Sequence, residues 1–90
     1  MIINRTEFLY RAQMDQETLQ VWIREEWLAP EGPESEPEFS EADIARVNLI
    51  RNLQRDLGVN DEGVGVILNL VDQIHSLRWA LSARIKAGGE

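Results

Sequence analysis

One histidine and a run of glutamates are the side chains with the most obvious chemical potential in this sequence. His75 falls in a partly apolar helical stretch, where a histidine far more often packs or forms a hydrogen bond than acts as a base. Glu34, Glu36 and Glu38 alternate with Ser and Pro and lack the glycine-centred ligand spacing of a calcium loop. No serine stands in a nucleophile motif, and the sequence has neither a phosphate-binding glycine loop nor a cysteine. We therefore expect a protein without enzyme activity, metal or cofactor.

The charge distribution singles out one third of the chain as strongly acidic. The net charge is −7, and the segment from Asp15 to Asp43 has ten acidic residues and one base, Arg24. An acidic field of this kind repels nucleic acid and anionic lipid and attracts a basic protein surface. The sequence also lacks cysteine, a signal-peptide pattern and an apolar run of bilayer length, which favours a cytoplasmic protein.

Two short helices separated by a tight break predict a helix-turn-helix. The acidic segment begins within this motif, at Asp15. Thr6 is expected to cap the first helix, and Asp15 to cap a second helix over residues 16–27. The apolar residues of the second helix recur at helical spacing: Leu19, Trp22, Ile23 and Trp27. Residues 29–39 contain three prolines and one glycine, so we predict a loop in the position of the wing of a winged helix.

Two further helices are predicted to complete a single domain, residues 1–90. Ser40 and Asp43 approximate a capping box at the start of the third helix, and Gly58 is placed to end it. The fourth helix is expected to begin after Asn60 and to run to Lys86. The domain then divides into a helix-turn-helix with wing and third helix (1–58), a long helix (59–87) and a tail (88–90).

The last helix has two apolar stripes, whereas a domain of this size needs only one to cover its core. One line contains Val64, Leu68, Val71, His75 and Trp79. The other has the heptad spacing of a coiled coil and is the predicted dimer interface: Ile67, Leu70, Ile74, Leu77 and Leu81. The alternative is one wide stripe that faces a single core.

The second helix has the position and the polar side chains of a DNA-reading helix but carries acidic residues where such a helix is usually basic. Polar side chains that could reach bases or phosphates are present: Gln13, Gln16, Thr18, Gln20 and Arg24. Glu25 and Glu26 are expected in its last turn, where an exposed acid costs roughly 0.3–1 kcal/mol against the helix dipole. They are either tolerated surface residues or part of a binding face shared with the acidic wing.

Two stretches of the chain resemble the N-terminal part of MerR-type regulators. They are TEFLYRAQMDQETLQVWIREEWLAP (6–30) and FSEADIARVNLIRNLQRDLGVN (39–60). The chain departs from the MerR pattern in the second helix and the wing, because Pro37-Glu38-Phe39 replaces a basic wing segment. The resemblance implies a mostly α fold: a MerR-like winged helix-turn-helix with a short wing and a long C-terminal dimerisation helix.

A closer resemblance is to the CbpM family of chaperone modulators. It rests on EGVGVILNLVDQIHSL (62–77), on Thr6-Glu7-Phe8 and on Trp27-Leu28-Ala29-Pro30. The resemblance implies a cytoplasmic homodimer that binds the J-domain of the DnaJ-like co-chaperone CbpA and inhibits its cooperation with DnaK. The alternative is a MerR-type DNA-binding transcriptional regulator that lacks an effector domain.

The resemblance also implies that the partner's J-domain has a basic face, with which it engages DnaK. An acidic surface on this chain would complement that face. The predicted contact residues are six glutamates, as the electrostatic face, and one tryptophan, as an apolar anchor: Glu25, Glu26, Trp27, Glu31, Glu34, Glu36 and Glu38. Core packing beneath the wing is the alternative for Trp27.

Overall fold

The computed structural model describes residues 1–88 and contains four α-helices in this order: α1 (Arg5–Ala12), α2 (Gln16–Arg24), α3 (Glu41–Arg51) and α4 (Asp61–Gly88). A π-helical turn, Asn52–Asp56, follows α3 directly. The predicted fold class, mostly α with a helix-turn-helix and a long C-terminal helix, is confirmed. Residues 89 and 90, which belong to the predicted tail, lie outside the described residues.

Local capping explains the helix-turn-helix. The first helix is capped by Asn4, whose side chain accepts the Glu7 N–H at 2.8 Å, so the prediction that Thr6 is the cap is wrong. Gln13 ends α1 in a left-handed conformation with φ 52. Asp15 caps α2 as predicted, because its Oδ1 accepts the Thr18 N–H at 2.7 Å. This bond also lowers the pKa of the Asp15 carboxyl.

Caps also set the bounds of the two later helices. The Ser40 N–H donates to Asp43 Oδ2 at 2.9 Å in the predicted capping box. The π-helical turn widens the end of α3, and Gly58 then reverses the chain with φ 67. Asn60 Oδ1 accepts the Gly63 N–H at 2.8 Å and starts α4.

The core lies between the helix-turn-helix, α3 and the first turns of α4. Phe8 and Phe39 stack at its centre with ring centroids 4.1 Å apart, and a single antiparallel bridge joins Phe39 to Ile3. Val64 and Leu68 bring α4 onto this core, and beyond them the helix projects into solvent. The molecule is accordingly elongated, with extents of 48 × 31 × 19 Å. None of the helices within residues 1–88 combines the length and apolar content that crossing a bilayer requires.

Candidate partner-binding surface

The two adjacent glutamates after α2 line different surfaces. The helix stops at Arg24 with Glu25 as its C-cap, so the prediction that both glutamates lie in its last turn is wrong. Glu26 has a left-handed backbone, φ 63, and lines a groove between α2 and the wing. Glu25 instead lines a shallow depression together with Asp61 and Glu62 of α4. The predicted acidic face is therefore divided between two surfaces.

Hydrogen bonds explain why α2 ends at this point. The Glu26 N–H donates to the Ile23 carbonyl at 3.0 Å, and the Trp27 N–H donates to the Trp22 carbonyl at 2.9 Å. This pair of bonds is a Schellman motif, whose left-handed position is usually occupied by glycine because a side chain there is strained by roughly 1–2 kcal/mol. The hydrophobic contact of the motif is made by the Trp22 and Trp27 rings, with centroids 5.6 Å apart.

Trp27 is a core residue. Its side chain is only 6% exposed, because the Schellman motif folds it back against α2. Its carbonyl accepts a hydrogen bond from Arg46 Nε at 2.5 Å, which fixes the exit of the helix. This burial favours the alternative of core packing over the predicted role of Trp27 as an apolar anchor for a partner.

The wing, residues 29–39, is a narrow two-sided loop. Glu31 and Glu38 exchange both backbone hydrogen bonds, at 3.1 and 2.8 Å, in a single antiparallel bridge. Residues paired in this way have side chains on the same face, and two like charges there destabilise the pair. Glu34 and Glu36 are also exposed, so the wing presents four glutamates and no base. The stability of the wing therefore does not explain why it contains four glutamates and no base.

The groove beside Glu26 contains charges of both signs. It has a volume of about 610 Å³, and its lining includes Glu26 and Glu34 but also Arg5 and Arg24. Arg5 was not among the predicted site residues, and its Nη2 donates to the Glu34 carbonyl at 3.0 Å across 29 positions of sequence. The two arginines of the groove lining therefore balance its two glutamates, and the excess of acid lies on the wing.

Three of the arginines outside the groove are held by intramolecular contacts. Arg46 binds Asp72 through both Nη atoms, at 2.7 and 3.1 Å. Arg51 donates to the carbonyls of residues 12 and 13 and so caps the end of α1. Arg11 binds Glu41 through two bonds of 2.7 and 2.8 Å, which lowers the pKa of the Glu41 carboxyl. These guanidinium groups would have to leave their partners before they could bind phosphate.

The outer half of α4 carries a continuous exposed apolar stripe. It comprises Val66, Leu70, Ile74, Leu77, Leu81 and Ile85, each between 48% and 69% exposed. Four of the five predicted interface residues belong to it. The fifth, Ile67, is partly buried against the domain's own core, and Val66 takes its place at the start of the stripe. Trp79 is also exposed, but it lies on a different side of the helix.

Side chains suited to catalysis are not assembled anywhere in the described part of the chain. His75 is exposed on the projecting half of α4. Residues 1–88 contain no group of three His, Cys, Asp or Glu side chains that could hold a metal ion. The groove with its acidic wing is the candidate binding surface, because most of the predicted contact residues lie there.

The order of the helices and the turn between α1 and α2 define a protein of the helix-turn-helix class. The model of a family described as MerR HTH family regulatory protein matches residues 3–83, and the chain belongs to that family. The predicted MerR-like scaffold is therefore confirmed. Comparisons with curated proteins and with solved structures found no match.

Proposed function

We propose that this protein is a CbpM-like modulator that binds the J-domain of a CbpA-like co-chaperone in the cytoplasm and inhibits its cooperation with DnaK. The observation that carries the proposal is the charge of the wing. Four glutamates are exposed there without a base, whereas a DNA-binding wing needs cations for phosphate. The resemblance implies a partner J-domain whose DnaK-binding face is basic, and the acidic wing would complement that face.

The mechanism of inhibition needs only steric competition. Acidic side chains on the wing attract the basic face and raise the association rate, and the bound protein then covers the surface that DnaK uses. The residues proposed for this contact are Glu26, Glu31, Glu34, Glu36 and Glu38. Glu25 faces the start of α4, so we assign it a peripheral electrostatic role.

We also propose that two copies pair through the exposed stripe of α4. The stripe extends over residues 66–85, about 28 Å of helix, and nothing within residues 1–88 covers it. Asp61 and Glu62 make the start of α4 acidic, whereas Arg78, Arg84 and Lys86 make its far half basic. Antiparallel pairing places these opposite charges next to each other, and parallel pairing places like charges together.

Calorimetric titration with the J-domain of the co-chaperone tests the proposal directly. We expect binding at low ionic strength that weakens as salt is added, because exposed charges are screened. The J-domain should also lose its stimulation of DnaK ATP hydrolysis in proportion to its occupancy. The absence of binding at low ionic strength would contradict the proposal.

DNA binding is the second candidate, and one observation favours it. Gln16, Gln20 and Arg24 are exposed at intervals of four residues, so they form one polar line along α2. Such side chains can read base edges and contact a phosphate. A gel-shift assay with promoter DNA tests this candidate, and the lack of any shift at low ionic strength would eliminate it.

A further inference from the structure

The groove between α2 and the wing has an apolar floor and two chemically different walls. Its floor is formed by three buried residues: Leu19, Leu28 and Pro37. One wall is the polar line of α2, and the other is the wing with Pro33 and Glu34. The groove has a volume of about 610 Å³ and is open to solvent, so a side chain of a partner can enter it.

The walls of the groove are held apart by contacts that do not involve a partner. The Schellman motif sets the direction in which the chain leaves α2 and so brings Glu26 into the lining of the groove. Arg5 binds the Glu34 carbonyl at 3.0 Å and ties the wing to α1. The groove therefore exists before binding, and a partner does not have to open it.

We propose that this groove docks a segment of the partner protein in which one apolar side chain lies next to a Lys or Arg. The inference rests on the proposed function and assigns the place where the J-domain is held. The apolar side chain would contact Leu19 and Leu28 on the floor. The cation would lie between Glu26 and Glu34, neither of which forms an ion pair within residues 1–88.

The polar wall of α2 suits a polypeptide occupant. Gln16 and Gln20 each offer an amide donor and an amide acceptor, which can pair with the N–H and C=O groups of an incoming main chain. Arg24 lies further along the same wall and is available to a carbonyl or a carboxylate of the segment. A nucleic-acid backbone would instead place phosphates against the acidic wing, which costs free energy.

Two matched pairs of variants test the docking site. Ala29→Trp fills the groove from an exposed position in its lining, and Ala45→Trp makes the same change at an exposed position of α3 outside that lining. Glu26→Gln removes a charge from the groove. Glu25→Gln removes the charge of the adjacent residue, which lies in the depression beside α4 and not in the groove. Each variant is titrated calorimetrically with the J-domain, and its helix content is checked by circular dichroism.

We expect Ala29→Trp to weaken J-domain binding by about tenfold or more, since blocking a central apolar contact removes more than about 1.4 kcal/mol. Glu26→Gln should weaken it several-fold, and Glu25→Gln should weaken it less, because Glu25 has only a peripheral electrostatic role. Ala45→Trp should bind like the parent protein. If the parent binds and each groove variant matches its control, the groove is not the docking site while the proposed function stands. If the parent does not bind the J-domain, both proposals are wrong.

Discussion

Arg46 of α3 and Asp72 of α4 form an ion pair with two parallel bonds, Nη1–Oδ1 at 2.7 Å and Nη2–Oδ2 at 3.1 Å. The Nε of the same guanidinium group donates to the Trp27 carbonyl at the exit of α2. One side chain thus connects three helices at the point where α4 leaves the domain. This contact and the core residues Val64 and Leu68 together hold α4 on the domain.

Replacing Arg46 with alanine should lower the free energy of unfolding by roughly 2 kcal/mol, because three charge-assisted hydrogen bonds are lost. Urea denaturation monitored by circular dichroism measures the change. Arg55→Ala is the control, since Arg55 is exposed after the same helix, and it should change stability by less than about 0.5 kcal/mol. Equal effects of the two variants would show that the Arg46 contacts do not stabilise the fold.

Stability should fall at acidic pH because a small set of hydrogen-bonded carboxylates becomes protonated. Arg46 lowers the pKa of Asp72 mainly through its hydrogen bonds, and Arg11 does the same to the pKa of Glu41. A carboxyl whose pKa is lower in the folded protein contributes stability above its unfolded pKa, near pH 4, and loses it as the pH falls through the folded pKa. The urea midpoint should therefore decline below about pH 4, and Asp72→Asn should flatten that decline. An identical pH profile for this variant would contradict the assignment to Asp72.

Glu26→Gly should stabilise the protein and weaken J-domain binding at the same time. Glycine adopts the left-handed conformation of residue 26 without strain, so we expect a gain of roughly 0.5–1 kcal/mol in unfolding free energy. The loss of the carboxylate should reduce affinity several-fold. The two measurements are urea denaturation and calorimetry. A variant that is both less stable and unchanged in binding would contradict both parts of the interpretation.

The exposed stripe of α4 should hold two copies together. Leu77→Glu places a charge at its centre and should convert the dimer to monomer in sedimentation-velocity experiments at micromolar concentration. Ser76→Glu is the matched control, because it puts the same charge one residue away on another side of the helix. A parent protein that sediments as a monomer over the whole concentration range would disprove the dimer.

Local signals in the sequence were sufficient for the order and type of the helices. Asp15, Ser40 and Asn60 start helices because each supplies a side-chain or backbone cap that acts over three residues. The end of α2 was missed because its left-handed position is occupied by Glu26, whereas the usual sign of such an end is glycine. The helix was therefore predicted to continue to Trp27, which the structure places after its end.

Long-range contacts of the arginines could not be read from the sequence. Arg46 and Arg51 bind groups that are 19 to 39 positions away. Arg5 was missed for the same reason, since its partner lies in the wing. Composition predicts that a surface is acidic, but the three-dimensional arrangement decides which of its charges share a groove.

The ionic-strength dependence of J-domain binding tests the central claim, that the acidic wing recognises a basic protein surface. The measurement compares the parent with a variant in which the wing glutamates become glutamine, Glu31→Gln, Glu34→Gln, Glu36→Gln and Glu38→Gln. Titration at about 50 mM and about 300 mM salt should show that the parent loses most of its affinity, because screening shortens the reach of its charges. The variant should bind weakly at both concentrations. If it matched the parent in both affinity and salt dependence, the wing charges would not be the basis of recognition.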